Sequence, residues 1–262
     1  MHTSAREGMQ TSLENRTVGE IVAEDYRTAE VFQRYGIDFC CGGDKAVSTA
    51  CAEKDVDVET VASELAEIGN SNGPVENYTE WAPDFLADYI VNQHHTYAKR
   101  VIPQITQFAN KVARVHGDRH PETREIAEVW HELSGEMVRH MQREELMLFP
   151  YIKQLVQAGE ASDEVPSPVF GSVPELLEEL EGDHEHTGDG LAKMEELSNG
   201  YTPPQDACNT YRALYASLQE FDARTKEHVH LENNLLFPRT ITIEDQGKDL
   251  YDNQSISGES ER

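Results

Sequence analysis

Read for apolar spacing, the chain changes character near residue 80. Before that point, short amphipathic runs alternate with turn residues. Beyond it, four long segments carry apolar residues at steps of three and four, the spacing of one buried helix face. In the first part, Thr17-Val18-Gly19-Glu20 reads as a capping box opening a short helix. A second helix covers Thr28 to Tyr35, with Gly36 as its left-handed stop. Asp38-Phe39-Cys40-Cys41-Gly42-Gly43 is a tight turn, Asp44 is the candidate cap of a third helix, and Asp57 to Ile68 forms a fourth, ended by Gly69. The pattern predicts a small helical domain over residues 17–69 and, from Asn70-Ser71-Asn72-Gly73-Pro74, a linker over 70–80.

The long segments run from about Trp81 to His116, from Pro121 to about Val156, from the capping box Ser172-Val173-Pro174-Glu175 to Ser198, and from beyond Pro203-Pro204 to Phe237-Pro238. Four helices with modest loops predict an all-α fold, an up-down four-helix bundle over residues 81–240 preceded by the small helical domain. Residues 1–16 are polar and expected to fray, and the acidic stretch 244–262 is expected to be a disordered tail.

The bundle seams are not purely apolar. The inward positions of the second long helix read Ile126, Trp130, Leu133, Met137, His140, Glu144, Met147, Tyr151. Those of the fourth read Tyr211, Leu214, Leu218, Phe221, Thr225, His228, Glu232, Leu235. Each places a histidine and a glutamate at consecutive core positions, one turn apart on one face. The match continues downstream, because His140-x3-Glu144-x4-Phe149-Pro150 repeats as His228-x3-Glu232-x4-Phe237-Pro238. It continues upstream too: His95 lies 45 residues before His140, and His184 lies 44 before His228. His95 shares a seam with Val91, Ala98, Ile102, Ile105, Ala109 and Val112; His184 shares one with Leu177, Leu180, Gly188 and Leu191.

Burying a carboxylate beside an imidazole without compensation costs several kcal/mol, and a cation compensates directly. Four imidazoles and two carboxylates exceed what one tetrahedral zinc takes, and calcium or magnesium prefers oxygen alone. Two metals bridged by Glu144 and Glu232 would each receive two nitrogens and two carboxylate oxygens. A shared oxo or hydroxo group would bring each to five donors and leave one position open. Two iron ions suit this mixed ligation, with manganese as the alternative. The ligand set is therefore His95, His140, Glu144, His184, His228 and Glu232. His94 sits about 100° around the helix from His95, off the seam. His186 and His230 are expected to face sideways, and His116, His120 and His131 lie near helix ends or off the seam. Ligand imidazoles need an outer acceptor, for which Asp183 and His116 are candidates.

Charge narrows the partners. The formal net charge of −27 argues against non-specific binding to nucleic acid or to an anionic membrane. Glutamate is spread along the whole chain and Arg outnumbers Lys, which resembles proteins of salt-accumulating organisms. No stretch of about 18 apolar residues is present to span a bilayer, and no charged-then-apolar leader opens the chain, so a cytoplasmic location is expected. The four cysteines, Cys40, Cys41, Cys51 and Cys208, form no CxxC pair and suit a reducing compartment. Adjacent Cys40 and Cys41 would close only a strained disulfide ring. Two readings of that pair stand level: exposed thiols able to react or to hold a soft ligand such as ferrous iron, or small apolar side chains packed on Phe32 and Phe39. Cys51 and Cys208 read as core filler.

With these residues in hand, the chain resembles the Repair of Iron Centres family. Thr17 to Ile68, with its Cys-Cys-Gly-Gly turn, is similar to that family's short N-terminal domain. The rest, with His140-x3-Glu144 and His228-x3-Glu232-Asn233-Asn234-Leu235-Leu236-Phe237-Pro238-Arg239, is similar to its hemerythrin-like domain. The resemblance implies a cytoplasmic di-iron protein that restores iron–sulfur clusters damaged by nitric oxide or peroxide, with the same six ligands and with Cys40 and Cys41 as a family feature. Its partners would be damaged or apo iron–sulfur proteins, with nitric oxide or oxygen species as small ligands. Iron donation is the leading activity. The alternatives are a nitric oxide reductase or ferroxidase, fed by a partner reductase, and a hemerythrin-like oxygen binder or sensor, for which no fifth histidine is evident. The apolar helix faces of the N-terminal module also offer a way to pair two copies into a homodimer.

Overall fold

The structure, a computed structural model, describes residues 16–71, 75, 77–161 and 165–258, with side chains described to residue 247. The expected frayed N-terminus and part of the linker lie outside the described residues. The chain divides into two compact units, one of Met1–Ala82 with Val229–Pro238, the other of Pro83–His228 with Arg239–Arg262.

In the first unit, α1 (Val18–Glu24) opens on the full capping box: Glu20 N donates to Thr17 Oγ1 at 3.2 Å, and Thr17 N donates to Glu20 Oε2 at 3.0 Å. A 3₁₀ turn, Tyr26–Thr28, leads into α2 (Ala29–Arg34), and Gly36 follows at a φ of 65°, the left-handed stop that the sequence predicts. Next come α3 (Val47–Glu53) and α4 (Val58–Gly69). Two end signals differ from expectation. The residue preceding α3 is Ala46, which makes no side-chain cap, so Asp44 lies too early to cap it. Helix α4 runs through Gly69 and is closed by Asn70, whose side-chain amide donates to the Ala66 carbonyl at 2.8 Å. Val18, Val22, Phe32, Val47, Cys51 and Val61 form the core, with Val229 among them.

The long helices are α5 (residues 83–116), α6 (122–161), α7 (Val173–Leu197) and α8 (209–258). In the second unit α6 packs against both α5 and α7. Ile105, Ile126, Trp130, Met137, Leu214 and Phe221 lie in one apolar core. Trp130 meets Phe221 edge-on at 4.9 Å, and its indole N–H donates to Thr106 Oγ1 at 2.9 Å, so the largest core side chain is buried with its polar atom satisfied. These helices make the all-α four-helix bundle that the seams predict.

Three of the four long helices contain a π turn: Ile90–His95 in α5, Glu144–Leu148 in α6 and Glu232–Leu236 in α8. Each is closed by an N–H bonded five residues back, from Thr96 to Val91, Phe149 to Glu144 and Phe237 to Glu232. Such a turn holds one residue more than an α turn, so the inward seam slips by one position. Leu148 is buried where the sequence pattern points to Met147, which is only half-buried. Helix α8 also continues past Ile243 to Gly258, where the sequence predicts a disordered tail. Glu244 is buried there and accepts a hydrogen bond from Tyr151 Oη at 2.8 Å, which ties this helix to α6. Among the described residues no helix is long and apolar enough to cross a membrane.

Candidate metal centre

The six polar seam residues are all buried, and they fall into two groups able to hold a metal ion. One is His95, Glu144, His228 and Glu232; the other is His140, Glu144, His184 and Glu232. Both groups contain both glutamates. Local structure explains how the side chains arrive. His95 ends the π turn of α5, while Glu144 and Glu232 open the π turns of α6 and α8, each four residues after its histidine. Pro150 and Pro238 stand just beyond two of these turns. A proline cannot donate to the carbonyl four residues back and its ring crowds that carbonyl, which favours the wider turn. The repeated Phe-Pro pair is thus the sequence trace of the π turns, although spacing alone does not disclose them.

The four imidazoles face inward through Nε2. His95 Nε2 and His228 Nε2 are 3.1 Å apart, and His140 Nε2 and His184 Nε2 are 3.0 Å apart. Glu144 presents one oxygen to each pair, Oε2 at 3.3 Å from His95 Nε2 and Oε1 at 3.3 Å from His140 Nε2. Two nitrogens about 2.1 Å from one ion stand about 3.0 Å apart at a right angle and about 3.4 Å apart at the tetrahedral angle. The observed spacings match the right angle. The donor set therefore fits two cations of five- or six-fold coordination better than tetrahedral zinc.

The outward nitrogens are held as well. His140 Nδ1 lies 3.1 Å from Asp183 Oδ2, so Asp183 is the outer acceptor that the sequence suggests. Arg143 also donates to Asp183. Burial alone would raise the Asp183 pKa, but the His140 hydrogen bond and the charges of His140 and Arg143 hold it below the usual carboxylate range. His116, the other candidate, instead faces the Cys208 sulfur at 3.2 Å. Cys208 is exposed, not core filler, while Cys51 is buried as expected.

Sequence reasoning missed Glu145. Its Oε1 is 2.7 Å from His95 Nδ1, and Lys99 Nζ reaches the same carboxylate at 2.6 and 2.7 Å. Burial pushes its pKa up, but the bonds from Lys99 and His95 outweigh this and leave it lowered. An ionised acceptor at Nδ1 keeps the proton there and turns the Nε2 lone pair towards the centre. No spacing rule marks Glu145, because the residue after a seam glutamate belongs to another face.

His94 is likewise not a solvent-facing bystander. It is buried and stacks on His228 with ring centroids 5.5 Å apart at 17°. It belongs to neither donor group, so no fifth histidine joins the described ligand sets. His230 is buried too, with Nδ1 3.3 Å from the Phe39 carbonyl, and burial lowers its pKa to about 4. His186 behaves as expected, exposed and paired with Glu136 at 3.0 Å.

Helices that bring paired histidines and shared glutamates to one buried level define a hemerythrin-like cation-binding bundle. The hemerythrin HHE cation binding domain indeed matches residues 86–240, and a Domain of Unknown function (DUF542) matches residues 14–69. The iron-sulfur cluster repair protein YtfE of Yersinia pseudotuberculosis is 31% identical over 227 residues, covering 87% of this chain and 97% of that protein. YtfE of Pectobacterium atrosepticum is 32% identical over 231 residues, with the same two coverages of 87% and 97%. The iron-sulfur cluster repair protein ScdA of Staphylococcus haemolyticus is 34% identical over 220 residues, covering 84% of this chain and 95% of that one. The chain belongs to this family of iron–sulfur cluster repair proteins.

Proposed function

We propose that this protein restores damaged iron–sulfur clusters by donating iron held in the bundle. His95, His140, His184 and His228 would hold two iron ions, and Glu144 and Glu232 would bridge them. The observation that carries this reading is the sharing of both glutamates by the two donor groups. Right-angle nitrogen spacing and mixed nitrogen–oxygen donors favour iron over zinc. When bound, the iron pair supplies exchangeable metal with a position open to a small ligand such as nitric oxide.

The chain's own residues set how firmly that iron is held. Glu145 and Asp183 keep protons on the Nδ1 atoms of His95 and His140, so each Nε2 remains a neutral donor. Phe149 lies over the His95 ring at 5.7 Å and excludes water from that side. Four of the six donors are imidazoles and two are carboxylates, with no thiolate among them, a set that binds iron without fixing it as a cluster. The partners would be apo or damaged cluster proteins in a reducing cytoplasm, consistent with Cys40, Cys41, Cys51 and Cys208 forming no disulfide.

The test compares iron-loaded protein with an equal amount of free ferrous iron, each added to a cluster enzyme inactivated by nitric oxide or peroxide. The loaded protein should restore more activity, and equal recovery would overturn donation. Replacing Glu144 with Leu removes the oxygens facing both histidine pairs. Metal analysis should then find at least one ion per chain fewer than in wild type.

A further inference from the structure

Outside the bundle, one turn gathers three further metal-ligating groups. Asp38, Cys40 and Cys41 place their ligand atoms within 4.8 Å of one another. Cys40 Sγ is 3.9 Å from Cys41 Sγ and 3.2 Å from Asp38 Oδ1. We propose that Asp38, Cys40 and Cys41 form a second metal site, separate from the bundle centre, for a borderline-soft divalent transition cation.

The geometry is that of ligands to one ion. Two thiolates about 2.3 Å from a tetrahedral cation stand about 3.8 Å apart. The sulfurs are already at this separation, far beyond the roughly 2.05 Å of a disulfide. Two sulfurs and one oxygen exclude calcium and magnesium, which take oxygen donors, and suit zinc or ferrous iron. Cys41 is half-buried and Asp38 exposed, so a fourth position opens to solvent or to an incoming ligand.

The turn is built to hold this arrangement. Asp38 Oδ1 accepts the backbone N–H groups of Cys40 at 2.9 Å and Cys41 at 3.0 Å, which fixes the carboxylate beside both sulfurs. Asn234 Nδ2 donates to the carbonyls of Phe39 at 3.3 Å and Cys40 at 3.1 Å, and Asn233 Nδ2 donates to the Cys40 carbonyl at 3.3 Å. These bonds lock the peptide groups on either side of Cys40. Cys40 lies in the apolar core of this unit, and Cys41 is half-buried against it.

Binding is a proton exchange: one divalent cation forms two metal–sulfur bonds, and the Cys40 and Cys41 thiols release two protons to solvent. Without a cation the Cys40 thiol is held well above its usual range, first by its contact with Cys41 and then by burial.

Cobalt(II) titration of the full chain without oxygen tests the site. The bundle donors include no sulfur, so a thiolate-to-cobalt charge-transfer band reports this turn alone. With the bundle donors already loaded with iron, wild type should develop the band to saturation at one equivalent of added cobalt per chain. Added zinc or ferrous iron should erase it, and whichever does so at lower concentration identifies the preferred ion. Cys41→Ser should abolish the band. Asp38→Asn, which can still accept both backbone N–H groups, should keep the band but raise half-saturation by about tenfold or more. No band in wild type, or an unchanged band in either Cys41→Ser or the Cys40→Ser/Cys41→Ser double variant, would overturn the proposal. Should Cys41→Ser fail to fold, Asp38→Asn decides, and unchanged affinity there counts against the site.

Discussion

Asp183 and Glu145 never point at the centre, yet each fixes the proton of a histidine that does. Removing such an acceptor's charge typically costs 10–100-fold in metal affinity. Asp183→Asn and Glu145→Gln should therefore each weaken iron retention by about that factor, read as the chelator concentration that strips half the metal. Circular dichroism should remain unchanged.

Asp25 illustrates a purely structural carboxylate. It accepts Arg27 N at 3.1 Å, Nε at 2.8 Å and Nη2 at 2.6 Å, capping the turn that leads into α2. The Arg27 side chain, more than any other contact, holds its pKa below the usual value. A carboxyl lowered on folding stabilises the protein fully above its unfolded pKa of about 3.9, and that share disappears as pH falls through the folded value. Asp25→Ala should cost about 1 kcal/mol at pH 7 in urea unfolding. The gap to wild type should narrow only below about pH 4.

At the scale of elements, the π turns and the glycine-lined turn decide what the sequence pattern leaves open. Heptad reading located His140, Glu144, His228 and Glu232 because those pairs precede the extra residue. It placed Met147 inward and His94 off the seam, because a fixed period cannot register a turn one residue wider. Helix α8 shows the same limit: a polar stretch beyond Ile243 reads as tail, and only the bond between Tyr151 and Glu244 reveals a helical continuation.

Gly19 and Gly43 admit Asn234 to the cysteine turn, since a Cβ on either would lie 2.3 Å from Asn234 Oδ1. Gly43→Ala should thus destabilise the first unit by forcing Asn234 aside. Adding Asn234→Ala should return part of that loss, with a coupling energy of about 0.5–3 kcal/mol in a double-mutant cycle. Strict additivity of the two substitutions would contradict the packing.

For the whole molecule, the net charge of −27 governs how stability responds to salt. Like charges repel one another across a compact acidic protein, and salt screens that repulsion. Raising potassium chloride from about 0.1 to about 1 M shortens the Debye length from about 10 to about 3 Å. The thermal midpoint should rise, and each kcal/mol recovered should add about 2–4 °C for a protein of this size. A midpoint that stays flat or falls would mean that specific ion pairs such as Arg34 with Glu64 outweigh general repulsion.

Legible in the residues alone are the helix class, the capping at Thr17, the stop at Gly36 and the six polar residues that share the bundle seams. Those are local or periodic properties: a cap needs only neighbours three residues apart, and a seam needs only repetition. Only the folded chain shows that His95 pairs with His228 and His140 with His184, that Glu145 and Asp183 back the imidazoles, and that Asn234 clamps the turn of Cys40. Each of these joins groups far apart in the chain, and no periodicity encodes which distant face a side chain will meet.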